Sequence, residues 1–201
     1  MKKFFHDYSY SVVKMFINQI AIAIFGTSLT FATVSAHGDS SGFDTFTLIV
    51  SIFSACFYLF LIYNMAWEIG AKDRISVDVK KKPYRPYLGL VLSLLANIPN
   101  LILVCIHAAT TIAGAAQARS LVRIISCFVN GMYFGFMTVV RVFIGGEWIQ
   151  LQVFWVAFLI AILPAVLTSG LAYYLGHKNF KFFGFITNKK PTVTQERPNM
   201  K

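Results

Sequence analysis

The sequence predicts an all-α, polytopic integral membrane bundle, and three observations predict it. Of the 201 residues, 57% are hydrophobic and only 13% charged, a balance outside the range of soluble domains. Several apolar runs reach the roughly 20 residues that a helix needs to cross a ~30 Å hydrocarbon layer. The sustained period-two alternation of barrel strands does not accompany them. The expected fold is a single membrane-embedded domain over residues 1–176 with four full spans plus a re-entrant or interfacial helical region; five spans is the alternative.

The first span, about residues 15–35, follows Lys2, Lys3 and Lys14. Val34 and Ala36 suit a signal-peptidase site before His37, so cleavage of residues 1–36 is an alternative. The run exceeds the roughly 7–15 residues of a signal core and further spans follow, which favours a retained helix. Either reading puts the N-terminus inside. The loop "AHGDSSGFD" has turn formers at Gly38, Ser40, Ser41 and Gly42 and carries Asp39 and Asp44 without Lys or Arg, so it belongs outside. The second span, about 45–66, ends at Trp67, a residue suited to the headgroup level.

The polar stretch "WEIGAKDRISVDVKKKPYRPY" follows directly. Glu68 and Lys72 stand four apart in the order that favours a helix pair, so the second helix is expected to continue past the membrane, with Asp73 and Arg74 extending its polar surface. Pro83 and Pro86 then set a boundary. The plainest role of this loop is to orient the protein, held by Trp67, Tyr84 and Tyr87 at the interface. The sharper expectation is a contact for anionic lipid or a cytoplasmic protein partner, built from Glu68, Lys72, Arg74, Lys80, Lys81, Lys82 and Arg85.

The third span, about 88–107, contains "ANIPN" near its middle. Pro99 removes a backbone donor and frees a carbonyl about one turn earlier. Asn97 and Asn100, three apart, project toward neighbouring faces of that helix. Broken helices with mid-depth polar groups line solute and ion sites in transporters, which makes Asn97, Pro99 and Asn100 the candidate intramembrane polar site. The plainer alternative is a packing kink whose asparagines bond to neighbouring helices.

Residues 108–147 are the ambiguous part. "LVRIISCFVNGMYFGFMTVVR" is bracketed by Arg123 and Arg141, about 27 Å apart at ~1.5 Å per residue, so by length it is a span. With four crossings the inner segments hold Lys2, Lys3, Lys14, six basic residues from Lys72 to Arg85 and six from Lys178 onward, 15 against Arg119, Arg123 and Arg141 outside. Five crossings give 10 against 8. The excess of Lys and Arg on cytoplasmic loops favours the first pattern, with residues 108–147 re-entrant or interfacial on the outer side and packed against the bundle so that their backbone groups are satisfied. Within them, Gly131 and Gly135 form a G-x-x-x-G on one helix face, expected to pack inside the bundle, with a dimer contact as the alternative. Arg119 and Arg123 share a face and snorkel to outer headgroups; an anion contact is the alternative.

The last span, about 151–174, contains Pro164. Residues 177–201 form a basic interfacial segment and disordered tail. There "HKNFKFFGFITNKK" interleaves Phe and Lys; directly after a span it suits anionic lipid better than single-stranded nucleic acid.

Enzyme signatures are missing from the sequence. His6, His37, His107 and His177 are scattered, and there is no H-E-x-x-H, no G-x-S-x-G, no phosphate-binding loop and no paired acids within a span. Cys56, Cys105 and Cys127 form no C-x-x-C and read as buried small apolar thiols. No catalytic, cofactor-binding or metal-ligating residue is expected. The net charge of +10 sits beside apolar spans and points to orientation and anionic lipid, not nucleic acid.

"WEIGAKDR", the basic Pro-containing loop and "LLANIPN", together Trp67 to Asn100, resemble small multi-span membrane proteins of Gram-positive bacteria. The resemblance implies a bacterial plasma membrane and carries no known activity. The expected function is a non-enzymatic accessory or assembly protein of the plasma membrane, with both termini cytoplasmic and with homo- or hetero-oligomers open to it. The alternative is a transport component, a solute-binding or permease subunit, with its site at the broken third helix.

Overall fold

Two 36-residue helices open the chain, α1 over Lys2–His37 and α2 over Phe43–Asp78, in a computed structural model that describes residues 2–37, 43–79, 83 and 85–180. Threonines embedded in α1 satisfy their own hydroxyls. Thr27 donates to the Ala23 carbonyl at 2.8 Å and Thr30 to that of Gly26 at 2.9 Å, so a polar side chain costs little in an apolar helix. The two helices run antiparallel. Tyr8 meets Asp73 at one end, Asn18 meets Met65 further along, and Thr33 meets Thr47 at the other end. As expected, α2 continues well beyond Trp67, to Asp78.

The third run is broken into α3, Leu88–Ala96, and α4, Ile98–Ile112, bent by 57°. The cause is local. Pro99 lies in the first turn of α4 and has no N–H to continue the ladder of α3. Asn97 takes up the Ser93 carbonyl twice, with its backbone N–H at 3.0 Å and its side-chain Nδ2 at 2.9 Å.

The fourth run is not a single straight helix. It is α5, Ala116–Val129, a 3-10 turn at Gly131–Tyr133, and α6, Phe134–Val139, with an 89° bend. A 27 Å rod between Arg123 and Arg141 is therefore excluded as a conformation of this stretch. Both glycines lie beyond the bend, on Gly131–Val139, and each is pressed against a neighbouring helix of the bundle. A Cβ on Gly131 would collide with the Ala23 carbonyl and Thr27 Oγ1 of α1, whereas one on Gly135 would meet the Thr47 carbonyl of α2 at 2.8 Å.

Residues 141–150 correct a second expectation, that this region is helical through Glu147. They form an antiparallel hairpin, β1 Arg141–Ile144 and β2 Glu147–Gln150, with Phe143 opposite Trp148. Gly145 and Gly146 have φ of 62° and 93°, and a two-residue turn with both φ positive matches the twist of the strands it joins. The last helix consequently starts later than Leu151. α7 covers Trp155–His177, with Pro164 inside it.

The helices share two ends. α3 begins against α7, where Ser169 Oγ donates to the Gly89 carbonyl at 2.9 Å, close to Tyr173 and Asp73. α4 runs away from that end and brings His107 against Phe158 in the first turn of α7. After a turn at Gly114, α5 leads back inward to Asn130, and α6 returns to α2, where the Phe136 N–H donates to Ser51 Oγ at 2.9 Å. The α5–α6 segment thus enters and leaves the bundle by the end where Thr33 and Thr47 meet.

The structure is mostly helical. Among the described residues three single helices are long and apolar enough to cross a membrane, at 7–33, 45–78 and 155–177, or up to five spans when each bent pair is counted as one. Outward faces carry large apolar side chains, among them Phe53, Ile102, Leu167 and Leu171. Cys56 and Cys105 lie on such faces and are exposed, which corrects the expectation that all three thiols are buried; only Cys127 is. Their neighbours Phe53, Phe57, Ile102 and Ile106 are exposed with them, because each turn of a helix points outward as well as toward its partners.

Candidate functional site

The two helix breaks meet. Asn100, in the first turn of α4, and Asn130, at the end of α5, exchange reciprocal amide hydrogen bonds, each Nδ2 donating to the other's Oδ1 at 2.9 Å. Asn130 Nδ2 also reaches the Ser126 carbonyl at 2.9 Å and so satisfies an acceptor in the last turn of α5. Asn100 and Asn130 are 2% and 1% exposed. An amide pair of this kind closes all four inward-facing groups without water.

Helical spacing then stacks polar groups above the pair. On α4, Asn100, Val104 and His107 share one buried face. On α5, Ser126 is one turn before Asn130, and Arg123 and Arg119 follow on the way out. Both arginines are within electrostatic reach of His107. His107 and Ser126 are each 0% exposed, and neither imidazole nitrogen nor Ser126 Oγ has a hydrogen-bond partner among the described residues. The hydroxyls of Ser54 and Tyr133 share that condition. Only the backbone of His107 is engaged, its carbonyl accepting from Thr110 at 3.0 Å and Thr111 at 2.8 Å. The imidazole packs on Phe158 with ring centroids 5.5 Å apart.

Leaving buried donors and acceptors unmade costs about 1–3 kcal/mol per group. A neutral imidazole and a hydroxyl together offer two donors and complementary acceptors. The chemistry these groups could supply is hydrogen bonding, in a part of the bundle whose buried apolar cluster is Val104, Cys127, Met137 and Phe158. Among the described residues no group of three or more His, Cys, Asp or Glu side chains could hold a metal ion.

A second buried polar cluster lies at the other end of the bundle. Asp73, only 8% exposed, accepts from Tyr8 Oη at 2.8 Å and from Tyr173 Oη at 3.1 Å, tying α1, α2 and α7 together. This corrects the expectation that Asp73 lies on the polar surface of α2; the approach of α7 buries it. That approach is made by glycine, since a Cβ on Gly70 would strike the Tyr173 carbonyl and one on Gly176 the Trp67 carbonyl.

The residues singled out by sequence separate accordingly. Asn100 enters the junction, Asn97 bonds back into its own helix, and Pro99 starts α4. Glu68 and Lys72 are exposed, and the ion pair that the C-terminal part of α2 makes joins the half-exposed Arg74 to Asp78, at 3.7 Å. Arg85 is exposed within electrostatic reach of Tyr8. Lys80, Lys81 and Lys82, the loop at 38–42 and the segment 181–201 lie outside the described residues. Trp67 donates its indole N–H to the Phe180 carbonyl at 2.8 Å. Sequence reasoning missed Asn130, His107 and Ser126. The available signal was a second asparagine in front of a glycine, "VNG", and a histidine seven residues after Asn100.

Comparison with protein-family models, with curated proteins and with solved structures finds no match.

Proposed function

We propose that the chain is a multi-pass plasma-membrane protein acting as a transport component, a solute-binding or permease subunit, with its polar site where the two broken helices meet. The observation that carries this reading is the set of wholly buried, unbonded groups on His107 and Ser126, two turns and one turn along the same two helices from the Asn100–Asn130 pair. Ionisable side chains at membrane depth are costly and are retained where they act, and helix breaks at the midplane build solute sites. The topology that goes with it has four crossings, with α3 and α4 forming one bent span and α5–α6 re-entrant from the outer side. The shared entry and exit of α5–α6 supports it, as does the distribution of 15 basic residues inside and three outside. Both termini are then cytoplasmic, and the bacterial membrane rests on the resemblance over Trp67–Asn100.

The test is a thermal-shift screen of small polar metabolites on purified protein, followed by uptake of each hit into proteoliposomes. A hit that stabilises wild type, is transported, and loses both effects in His107→Phe at unchanged melting temperature carries the reading; transport that survives the substitution rejects this site. A reporter fused at Lys201 checks topology, and an outer location discards the four-span arrangement.

The second reading, a non-enzymatic accessory protein, is favoured by the charged surface that Glu68, Lys72 and the half-exposed Arg74 form on the extension of α2 past Trp67. Release of a co-purifying protein by charge reversal at these three positions, with topology intact, would favour it.

A further inference from the structure

Between the first turns of α1 and the C-terminal extension of α2 lies a lateral cavity of about 260 Å³ that the transport reading does not use and that shares Glu68 and Lys72 with the charged surface of the second reading. Its wall is charged in both signs. Lys14 and Lys72 face it from the two helices, and Asp7, Glu68 and Asp73 line it with them. Asp73 is committed to the two tyrosine hydroxyls; the other two acids are exposed, Glu68 one turn from Lys72 on α2 and Asp7 two turns before Lys14 on α1. Lys14, Lys72 and Glu68 make no ion pair with one another among the described residues. A purely anionic guest would meet the acids, and a purely cationic guest the lysines. The complement to such a wall carries both charges a few ångströms apart.

Exposed apolar side chains flank Lys14 along α1. Val13 and Ile17, one and two turns beyond Tyr10 toward the apolar run, are 53% and 58% exposed, so an alkyl chain leaving the charged cavity passes directly onto apolar surface. We propose that this cavity seats the headgroup of a zwitterionic phospholipid, its phosphate on Lys14 and Lys72 and its ammonium on Glu68, with its acyl chains against α1. The site rests on the membrane reading but is independent of the solute site at His107.

The test uses the full chain in nanodiscs of equal phosphatidylethanolamine and phosphatidylglycerol, with the lipids retained on release identified by native mass spectrometry. Wild type is expected to keep phosphatidylethanolamine over phosphatidylglycerol by roughly fivefold, the scale of two partly exposed charged contacts. Glu68→Lys should lose that preference and shift toward phosphatidylglycerol, and Lys14→Glu with Lys72→Glu should lose retention of both. All three side chains are exposed, so melting temperatures should stay at the wild-type value. Equal retention of the two lipids by wild type, or an unchanged ratio in Glu68→Lys, overturns the proposal. Free glycerophosphoethanolamine should not displace the lipid; displacement at matched concentration would identify a soluble headgroup compound as the guest and overturn the lipid assignment. Failure here leaves the Lys201 topology result and the His107 transport result untouched, so the two proposals fail separately.

Discussion

The Asp73 cluster and the His107 junction are both polar, both buried and both built across several helices, yet their hydrogen bonding is opposite. Asp73 receives two phenol hydroxyls and serves as a knot between α1, α2 and α7. His107 and Ser126 are as deeply buried and hold nothing with their side chains among the described residues. A satisfied buried network returns its desolvation cost as rigidity, whereas an unsatisfied one keeps that cost until a water, an ion or a guest meets it. The first cluster is therefore architecture, and the second is the one on which the proposed solute site rests.

Substitutions can break that contrast, and the largest effect belongs to neither cluster but to the contact that brings the breaks together. Gly131→Leu forces a side chain into the Ala23 carbonyl and Thr27 and is expected to cost about 3 kcal/mol or more, at the upper end for overpacking, read as loss of folded protein in detergent melts. Next comes Asp73→Ala, which removes the carboxylate that accepts from two phenols and should destabilise by about 2–4 kcal/mol. Asp73→Asn keeps an acceptor and should lose less than half as much in the same melts. If Asp73→Ala were silent, the knot would be a coincidence of packing.

Asn100→Leu leaves Asn130 half satisfied and should cost about 1–2 kcal/mol. The double replacement Asn100→Leu with Asn130→Leu should recover part of that loss, and a double-mutant cycle measures the coupling directly. The smallest expected stability change is at His107. His107→Phe removes two unbonded polar atoms from an apolar wall, so stability should stay within about 0.5 kcal/mol of wild type or rise. A loss as large as that of Asp73→Ala would show that the imidazole is bonded in the folded protein and would dissolve the distinction between the two regions.

Much of the fold is legible in local sequence. The apolar runs announce their helices, and "ANIPN" announces a break with a mechanism, a proline without a donor and an asparagine able to take up a carbonyl. The extension of α2 past Trp67 is legible in the spacing of Glu68 and Lys72, although the ion pair falls one and a half turns later, at Arg74 and Asp78. The hairpin at 141–150 is signalled by two glycines between "RVFI" and "EWIQ", a faint signal because four-residue strands are short beside the helical runs around them. The bend at Asn130 is hidden for a different reason. Nothing in "CFVNGMY" forbids a continuous helix; the bend is held by Asn100 thirty residues away and by close approach to α1.

The sequence by itself determined the class of element, the length of each helix to within a few turns and the charge asymmetry between loops, because hydropathy, proline and charge act locally. Only the tertiary structure decided which polar groups are buried and which of those are satisfied. Asp73 and Glu68 are five residues apart on one helix, and the close passage of α7 at Gly70 and Gly176 makes one a buried acceptor and leaves the other exposed. His107 likewise becomes a candidate site through the meeting of two breaks, since burial and pairing belong to the contacts between segments.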